Sequence, residues 1–180
     1  PCALRICWHR CYNKWISIVV IEFNSVSKSY DGGVSFAVKN FVLRVNRGEV
    51  LALVGESGCG KTTTLKMVNR LVSPCSGFVS IAGKSVLDIC VQDLRRNIGY
   101  VFQGVGLFPH YSVRENVSAV PSLLGWSPEA VEERCSELLA LVGLPLASFG
   151  NRMPMELSGG QAQRVGVTRA LAAKPEILLM

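Results

Sequence analysis

The sequence has no apolar run long enough to cross a bilayer. The longest near its start is Ile18 to Ile21, whereas a spanning helix takes about 20 apolar residues. It also lacks any Cys-x-x-Cys pair. Its seven cysteines are scattered at positions 2, 7, 11, 59, 75, 90 and 135, and an odd, widely spaced set points to reduced thiols in a cytosolic protein, not to a disulfide framework. Cys2, Cys7 and Cys11 with His9 match no zinc-ligand spacing, so a metal finger is not expected. Residues 1–21 contain no acid, no apolar h-region and no small-residue cleavage site, which argues against a signal peptide. Histidine is nearly absent, with two residues. One is His110, in Phe108-Pro109-His110-Tyr111, and no Ser or Cys constellation accompanies it, so it reads as structural and not catalytic. There is no low-complexity tract.

Charge excludes little. The formal net charge is +6, from 19 Lys+Arg against 13 Asp+Glu, and Arg5, Arg10 and Lys14 supply half of it. The remainder is only mildly basic, so charge alone does not argue for a nucleic-acid partner. The 180 residues, 49% hydrophobic, make one domain or one and a half with ample material for a core.

What is present centres on Gly55-Glu56-Ser57-Gly58-Cys59-Gly60-Lys61-Thr62, which fits G-x-x-x-x-G-K-[ST]. Val50 to Val54 is a continuous apolar run, read as a strand buried on both faces. Thr62 to Leu71 carries neither Gly nor Pro and reads as a helix. Strand, glycine loop and helix form the context that a phosphate-binding loop requires. Gly55, Gly58 and Gly60 are expected to take positive φ and let the backbone close on phosphate oxygens. The helix N-terminus, with Thr63 in its first turn, adds unpaired N–H groups and partial positive charge. Lys61 is placed to reach the β- and γ-phosphates of ATP, and the Thr62 hydroxyl to ligate Mg²⁺. Cys59 reads as a small side chain filling a tight turn.

Around this stretch the chain is orderly from about Val20. Residues 1–19 show neither helical nor strand period, and the native start is expected near Val19 or Val20, with the leader a translation or expression artefact. Ile21 to Val26 alternates as a half-buried strand. Tyr30 follows beside the turn Asp31-Gly32-Gly33. Two readings stand for it: a ring that stacks a base, or a strand-end tyrosine with a wet hydroxyl. Phe36 to Val45 is a second, partly alternating strand, Phe78 to Ile81 another, and Ile98 to Phe102 a core strand ending at Gln103. In open α/β sheets ligands sit beyond strand carboxyl ends, which puts Gln103 near a nucleotide. A polar residue merely ending a strand is the alternative. Ser127-Pro128-Glu129 starts a helix whose face is Val131, Cys135, Leu138, Leu139 and Val142, and which Gly143 and Pro145 end. Leu157-Ser158-Gly159-Gly160-Gln161 opens a helix from Gln161 to about Ala173, a second anion-binding N-terminus. Lys174-Pro175 stops it, and Ile177 to Met180 starts another strand.

A phosphate loop, a Gln-ended strand, a helical insert and then L-S-G-G-Q before a helix together resemble the nucleotide-binding domain of ABC ATPases, over about Ile21 to Met180. The resemblance implies an α/β fold: a P-loop NTPase core with a mostly parallel sheet, N-terminal antiparallel β strands and an inserted helical subdomain. It implies segments 1–19 (leader), 20–103 (core with Walker A), 104–160 (helical subdomain ending in the signature) and 161–180 (return to the core). Tyr30 would stack adenine, and Gln103 would sense Mg²⁺ and the attacking water. Ser158, Gly159, Gly160 and Gln161 would cap ATP held by a second ATPase subunit in a head-to-tail dimer. Within the family, Ile98 to His110, Leu123 to Trp126 and Arg164 to Leu171 are similar to importer ATPases for quaternary amines such as glycine betaine, choline and proline betaine. That implies transmembrane permease subunits as partners, a substrate-binding protein indirectly, no nucleic acid, and a peripheral place on the inner face of the cell membrane. DNA-repair or chromosome-type ABC ATPases are the alternative, disfavoured because no heptad tract lies between Gly60 and Ser158. A nucleotide-binding module without turnover is another. After a strand like Ile177 to Met180 the family continues with a Walker B Asp, a catalytic Glu and a switch His. These are not among the 180 residues, so the chain reads as a fragment, and residues 1–180 alone are expected not to hydrolyse ATP.

Overall fold

The computed structural model describes residues 19–104 and 106–180, together with the backbone of residues 5–9. The Cys2/Cys7/Cys11/His9 set lies outside the described side chains. Two compact units, Pro1–Leu94 and Arg95–Met180, divide the chain.

In the first unit, β2 (Val19–Lys28) is central to an antiparallel sheet. Its neighbours are β3 (Val38–Asn46) on one side and β5 (Ser76–Ile81) on the other, with β6 (Lys84–Ser85) beyond β5. Ile21 and Phe23 are buried as alternation demands, and then the pattern slips: Asn24 and Ser25 are both exposed and Val26 is buried. The cause is a bulge. Phe23 faces Leu43 but Val26 faces Phe41, and Ser25 absorbs the extra residue at φ 47. Ser27 and Asn40 close the irregularity, the Asn40 amide donating to Ser27 Oγ at 3.0 Å. Phe23 and Phe41 pack edge to face at 5.3 Å. The second strand is shorter than the sequence suggests, because Phe36 lies before it and is exposed.

The phosphate-loop strand β4 (Val50–Val54) departs from expectation. It is not buried on both faces: Val50 is 69% and Val54 50% exposed. A doubly buried strand needs neighbours on both edges and layers on both faces. Among the described residues, β4 pairs only with the antiparallel β1 (Arg5–His9), Arg5 opposite Val54 and His9 opposite Val50. Helix α1 (Lys61–Val68) follows and ends earlier than Leu71. Arg70 takes φ 53, and the Leu71 amide donates back to Lys66 O at 2.9 Å, a Schellman stop made without glycine. Next comes α2 (Val91–Arg96).

The second unit holds parallel strands β7 (Ile98–Tyr100) and β8 (Ile177–Leu179) and a helical cluster. β7 stops at Tyr100, and Phe102 is exposed, so the expected core strand is truncated where its ladder to β8 ends with Val101 N donating to Leu179 O at 2.8 Å. The one parallel pair among the described residues is this one. Helix α3 (Val113–Leu123) is capped by Ser112 and Glu115 in a capping box. Helix α4 (Pro128–Leu141) starts at its Ser127 cap, with Pro128 in its first turn. Val131, Cys135, Leu138 and Leu139 face inward, and Gly143 at φ 69 closes the helix while the Leu144 amide reaches Leu139 O at 2.9 Å. After a short α5 (Leu146–Phe149) comes α6 (Gly159–Ala172). The core joins Val113 and Val117 of α3, Leu138 and Leu139 of α4, Leu144, and Val165 of α6. Gly99 lets β7 pass close under α6, since a Cβ there would lie 2.4 Å from Ala170 O.

Candidate nucleotide site

The first unit carries the Gly55–Thr62 loop. Gly58 and Gly60 take φ 83 and 93, as expected, but Gly55 does not take positive φ, because it still continues the exit from β4 and precedes the turn. Gly60 answers two demands at once: besides its left-handed backbone, a Cβ would fall 2.2 Å from Ala37 O. Cys59 is buried, as a turn-filling side chain should be, and Lys61 Nζ lies 3.5 Å from its Sγ. Lys61 Nζ also donates to Gly55 O and Glu56 O, both at 2.7 Å, so the ammonium bridges the mouth of the loop. Ser57, Gly58 and Thr62 are exposed around it. Thr64 Oγ1 donates to Gly60 O at 3.0 Å and ties the first turn of α1 to the loop.

Tyr30 stands beside this loop. Its hydroxyl lies 3.4 Å from Thr63 Oγ1, its ring is 65% exposed, and Lys28 Nζ sits 5.2 Å from the ring centroid. The turn that presents it is braced by Asp31, whose carboxylate accepts from Ser35 Oγ at 2.5 Å, from the Ser35 amide at 2.9 and 3.0 Å and from Ser29 Oγ at 2.7 Å. These bonds, Ser35 first, hold the Asp31 carboxyl well below the usual range.

The groups fit a nucleoside triphosphate. Open space over Gly58, helix-start amides, an ammonium and an exposed ring converge on one patch of this unit. For Mg²⁺ the fit is narrower. No group of three His, Cys, Asp or Glu among the described residues could hold a metal, so Thr62 would act with oxygens of phosphate and water.

The second unit carries Gln103 and the signature. Gln103 is exposed, three residues past the end of β7. Gly104 and Gly106 take φ 84 and 54, and a Cβ on Gly106 would touch Phe102 Cβ at 3.0 Å, so the segment folds back on itself. Helix α6 begins at Gly159, two residues earlier than expected, because Ser158 is the N-cap. Ser158 Oγ accepts from the Gln161 amide at 3.3 Å, while Gln161 Oε1 accepts from the Ser158 amide at 2.9 Å. This capping box leaves Gly159 and Gly160 exposed with nothing over their Cα atoms, at a helix end whose first N–H groups have no intrahelical acceptor. His110 is exposed.

Two residues escaped the sequence reading. Asn116 is fully buried on α3. Its Oδ1 accepts from the Phe108 amide at 2.8 Å, and its Nδ2 donates to Phe108 O, Tyr111 O and Ser112 O at 3.1, 2.9 and 3.0 Å. Arg169, on α6, is buried and donates to Gly106 O at 2.8 Å. Arg169 falls within the Arg164–Leu171 stretch, but no role attaches to it there, and no motif marks Asn116. An Asn inside an otherwise apolar helix face is the only local hint.

Comparison with known proteins agrees with this geometry. A family described as ABC transporter matches residues 38–180. The choline transport ATP-binding protein OpuBA of Bacillus subtilis is 48% identical over 161 residues, 89% of this chain and 42% of that protein. The osmoprotectant import ATP-binding protein OsmV of Salmonella typhimurium is 52% identical over 144 residues, 80% of this chain and 38% of that protein. The chain thus spans less than half the length of either relative. Among solved structures, the dimeric post-hydrolysis state of the ATP-binding cassette MJ0796, bound to ADP and Pi, superposes with a TM-score of 0.74 at 33% identity, over 88% of this chain and 72% of that one. With a match through the phosphate loop, the Gln103 segment and the signature helix, the chain belongs to the ABC transporter family.

Proposed function

We propose that this protein is the ATP-binding and ATP-hydrolysing subunit of an ABC importer for osmoprotectants of the glycine betaine and choline type. The observation that carries it is the phosphate loop with left-handed Gly58 and Gly60, Lys61 across its mouth and the exposed Tyr30 ring beside Thr63. Gly58, Cys59 and Gly60 would offer backbone amides to the phosphates, with Gly55 and Ser57 completing the loop. Lys61 would exchange its carbonyl partners for phosphate oxygens. Thr62 and Gln103 are the groups for Mg²⁺, whose chemistry is to neutralise charge on the transferred phosphoryl. Tyr30 would stack the base. The substrate class rests on the similarity to OpuBA, a choline transport ATP-binding protein, and OsmV, an osmoprotectant import ATP-binding protein.

In this reading Ser158, Gly159, Gly160 and Gln161 serve the nucleotide of a second copy. The support is a second anion-suited helix end in the same chain, together with the dimeric assembly of the related MJ0796 cassette. No helix among the described residues is long and apolar enough to cross a membrane. In the proposed importer, permease subunits hold the protein at the inner face.

The test is ATP binding, turnover and solute uptake by the whole protein with its permease. Lys61→Ala should weaken ATP binding by at least about tenfold, the loss of a charge-assisted contact. Tyr30→Ala should weaken ATP, ADP and GTP alike, by about 1–3 kcal/mol. Parental ATP affinity in Lys61→Ala would refute the phosphate-loop assignment, and uptake of solutes other than quaternary amines alone would refute the substrate class.

A further inference from the structure

The Gln103 segment is held at both ends by residues to which the sequence reading gave no role. Upstream, Val101 N donates to Leu179 O at 2.8 Å and fastens the end of β7 to β8. Downstream, Arg169 of α6 donates from one guanidinium nitrogen to Gly106 O at 2.8 Å. The guanidinium carbon lies 5.3 Å from the Phe108 ring centroid and 5.9 Å from that of Phe102, so both aromatic side chains flanking Gln103 rest on the same cation. Arg169 is 7% exposed, and among the described residues no carboxylate pairs with it. A buried, unpaired guanidinium is costly to keep. What it holds here is backbone: a carbonyl beside a left-handed glycine, and two rings. It also lines a cavity of about 320 Å³ with Tyr100, Phe102 and Phe108, so the segment has room to shift once it is released.

Arg169 sits on the helix whose N-cap is Ser158. A rigid helix joins the two, so displacement of the Gln103 segment and displacement of the signature end are mechanically linked through one hydrogen bond and two ring contacts. Beyond Gly106, Asn116 fastens Phe108, Tyr111 and Ser112 to α3, and Arg169 holds Gly106 itself.

We propose that Arg169 is a positioning residue for Gln103, anchoring its turn to the signature helix. This rests on the reading of Gln103 given above, and two independent measurements separate the two. The first is amide hydrogen exchange on the whole protein. Arg169→Met should raise exchange across residues 102–107 by about tenfold, equivalent to about 1.4 kcal/mol, and leave α3 and the rest of α6 unchanged. Arg169→Lys, which keeps the charge and a donor, should restore protection to within about threefold. Unchanged exchange in Arg169→Met, or loosening spread over the whole helical cluster, overturns the proposal.

The second is steady-state turnover in the assembled transporter. Arg169→Met should lower kcat by about tenfold with KM for ATP within about twofold, since Gly58, Gly60 and Lys61 are untouched. In a Gln103→Ala background the same change should cost less than about twofold, because a residue acting through another loses its effect once that residue is gone. A full multiplicative loss in the double variant overturns the proposal. If Gln103→Ala alone leaves kcat unchanged, the role given to Gln103 fails, and the exchange result still decides whether Arg169 anchors the turn.

Discussion

Gly60 and Gly58 allow a backbone argument to be separated from a packing argument inside one loop. Both have positive φ, 93 and 83. Alanine at either site meets the left-handed penalty of about 1–2 kcal/mol, part of which is offset by about 0.4–1 kcal/mol from the stiffer unfolded chain. At Gly58 nothing lies within 4 Å of the added Cβ, whereas at Gly60 it would meet Ala37 O at 2.2 Å, Val38 Cγ2 at 3.0 Å and Ala37 C at 3.2 Å. Ala37 cannot drift away cheaply. Its amide donates to Lys28 O at 2.9 Å, and Val38 begins β3. Forcing such a contact costs about 1–3 kcal/mol beyond the backbone term. Urea unfolding without nucleotide should therefore place Gly58→Ala about 1 kcal/mol and Gly60→Ala about 2–4 kcal/mol below the parent, at an unchanged slope. Equal losses for the two variants would refute the close approach of Ala37 and leave only the backbone term.

Asn116→Ala should destabilise by about 2–3 kcal/mol in the same assay, because it empties a fully buried site and strands the part-buried Phe108 amide and Tyr111 carbonyl; a loss below about 0.5 kcal/mol would mean water replaces the carboxamide freely. Ser158→Arg should abolish turnover in the assembled protein while leaving ATP affinity within about threefold, since Ser158 serves the second copy's nucleotide in the proposed arrangement; lost affinity in the isolated subunit would contradict that. Cys135 is buried, and burial, with Glu132 adding to it, pushes its thiol up to about 11. The folded state favours the neutral thiol, so its contribution to stability is complete below the ordinary value of 9.0 and falls as pH rises towards about 11. Unfolding midpoints for the parent and Cys135→Ala should converge over that window, and a constant gap would refute the shift.

The parts legible in the sequence are those whose cause is local. Ser127, Pro128 and Gly143 mark the ends of α4 because a cap, a fixed φ and a left-handed stop each act within a turn of the chain. The apolar face of α4 follows from helical period alone. The phosphate loop is legible for the same reason: left-handed glycines and a helix start need no distant partner. Gly55 is the exception, because loop consensus does not say which glycine lies inside the turn.

Tertiary structure alone decided the rest. The slip after Phe23 depends on how Ser25 and Asn40 are accommodated across two strands, which alternation cannot reveal. The exposure of Val50 and Val54 depends on which strands pair with β4, whereas the apolar run reports only what it could bury. Arg169 and Asn116 resemble any polar helix residue until Gly106, far upstream, and the Phe108–Ser112 turn are folded against them. Capping and positive φ are short-range properties that a few neighbours specify. Burial of a charged or amide group is tolerable only where distant backbone supplies its partners, and that is settled when the chain closes on itself.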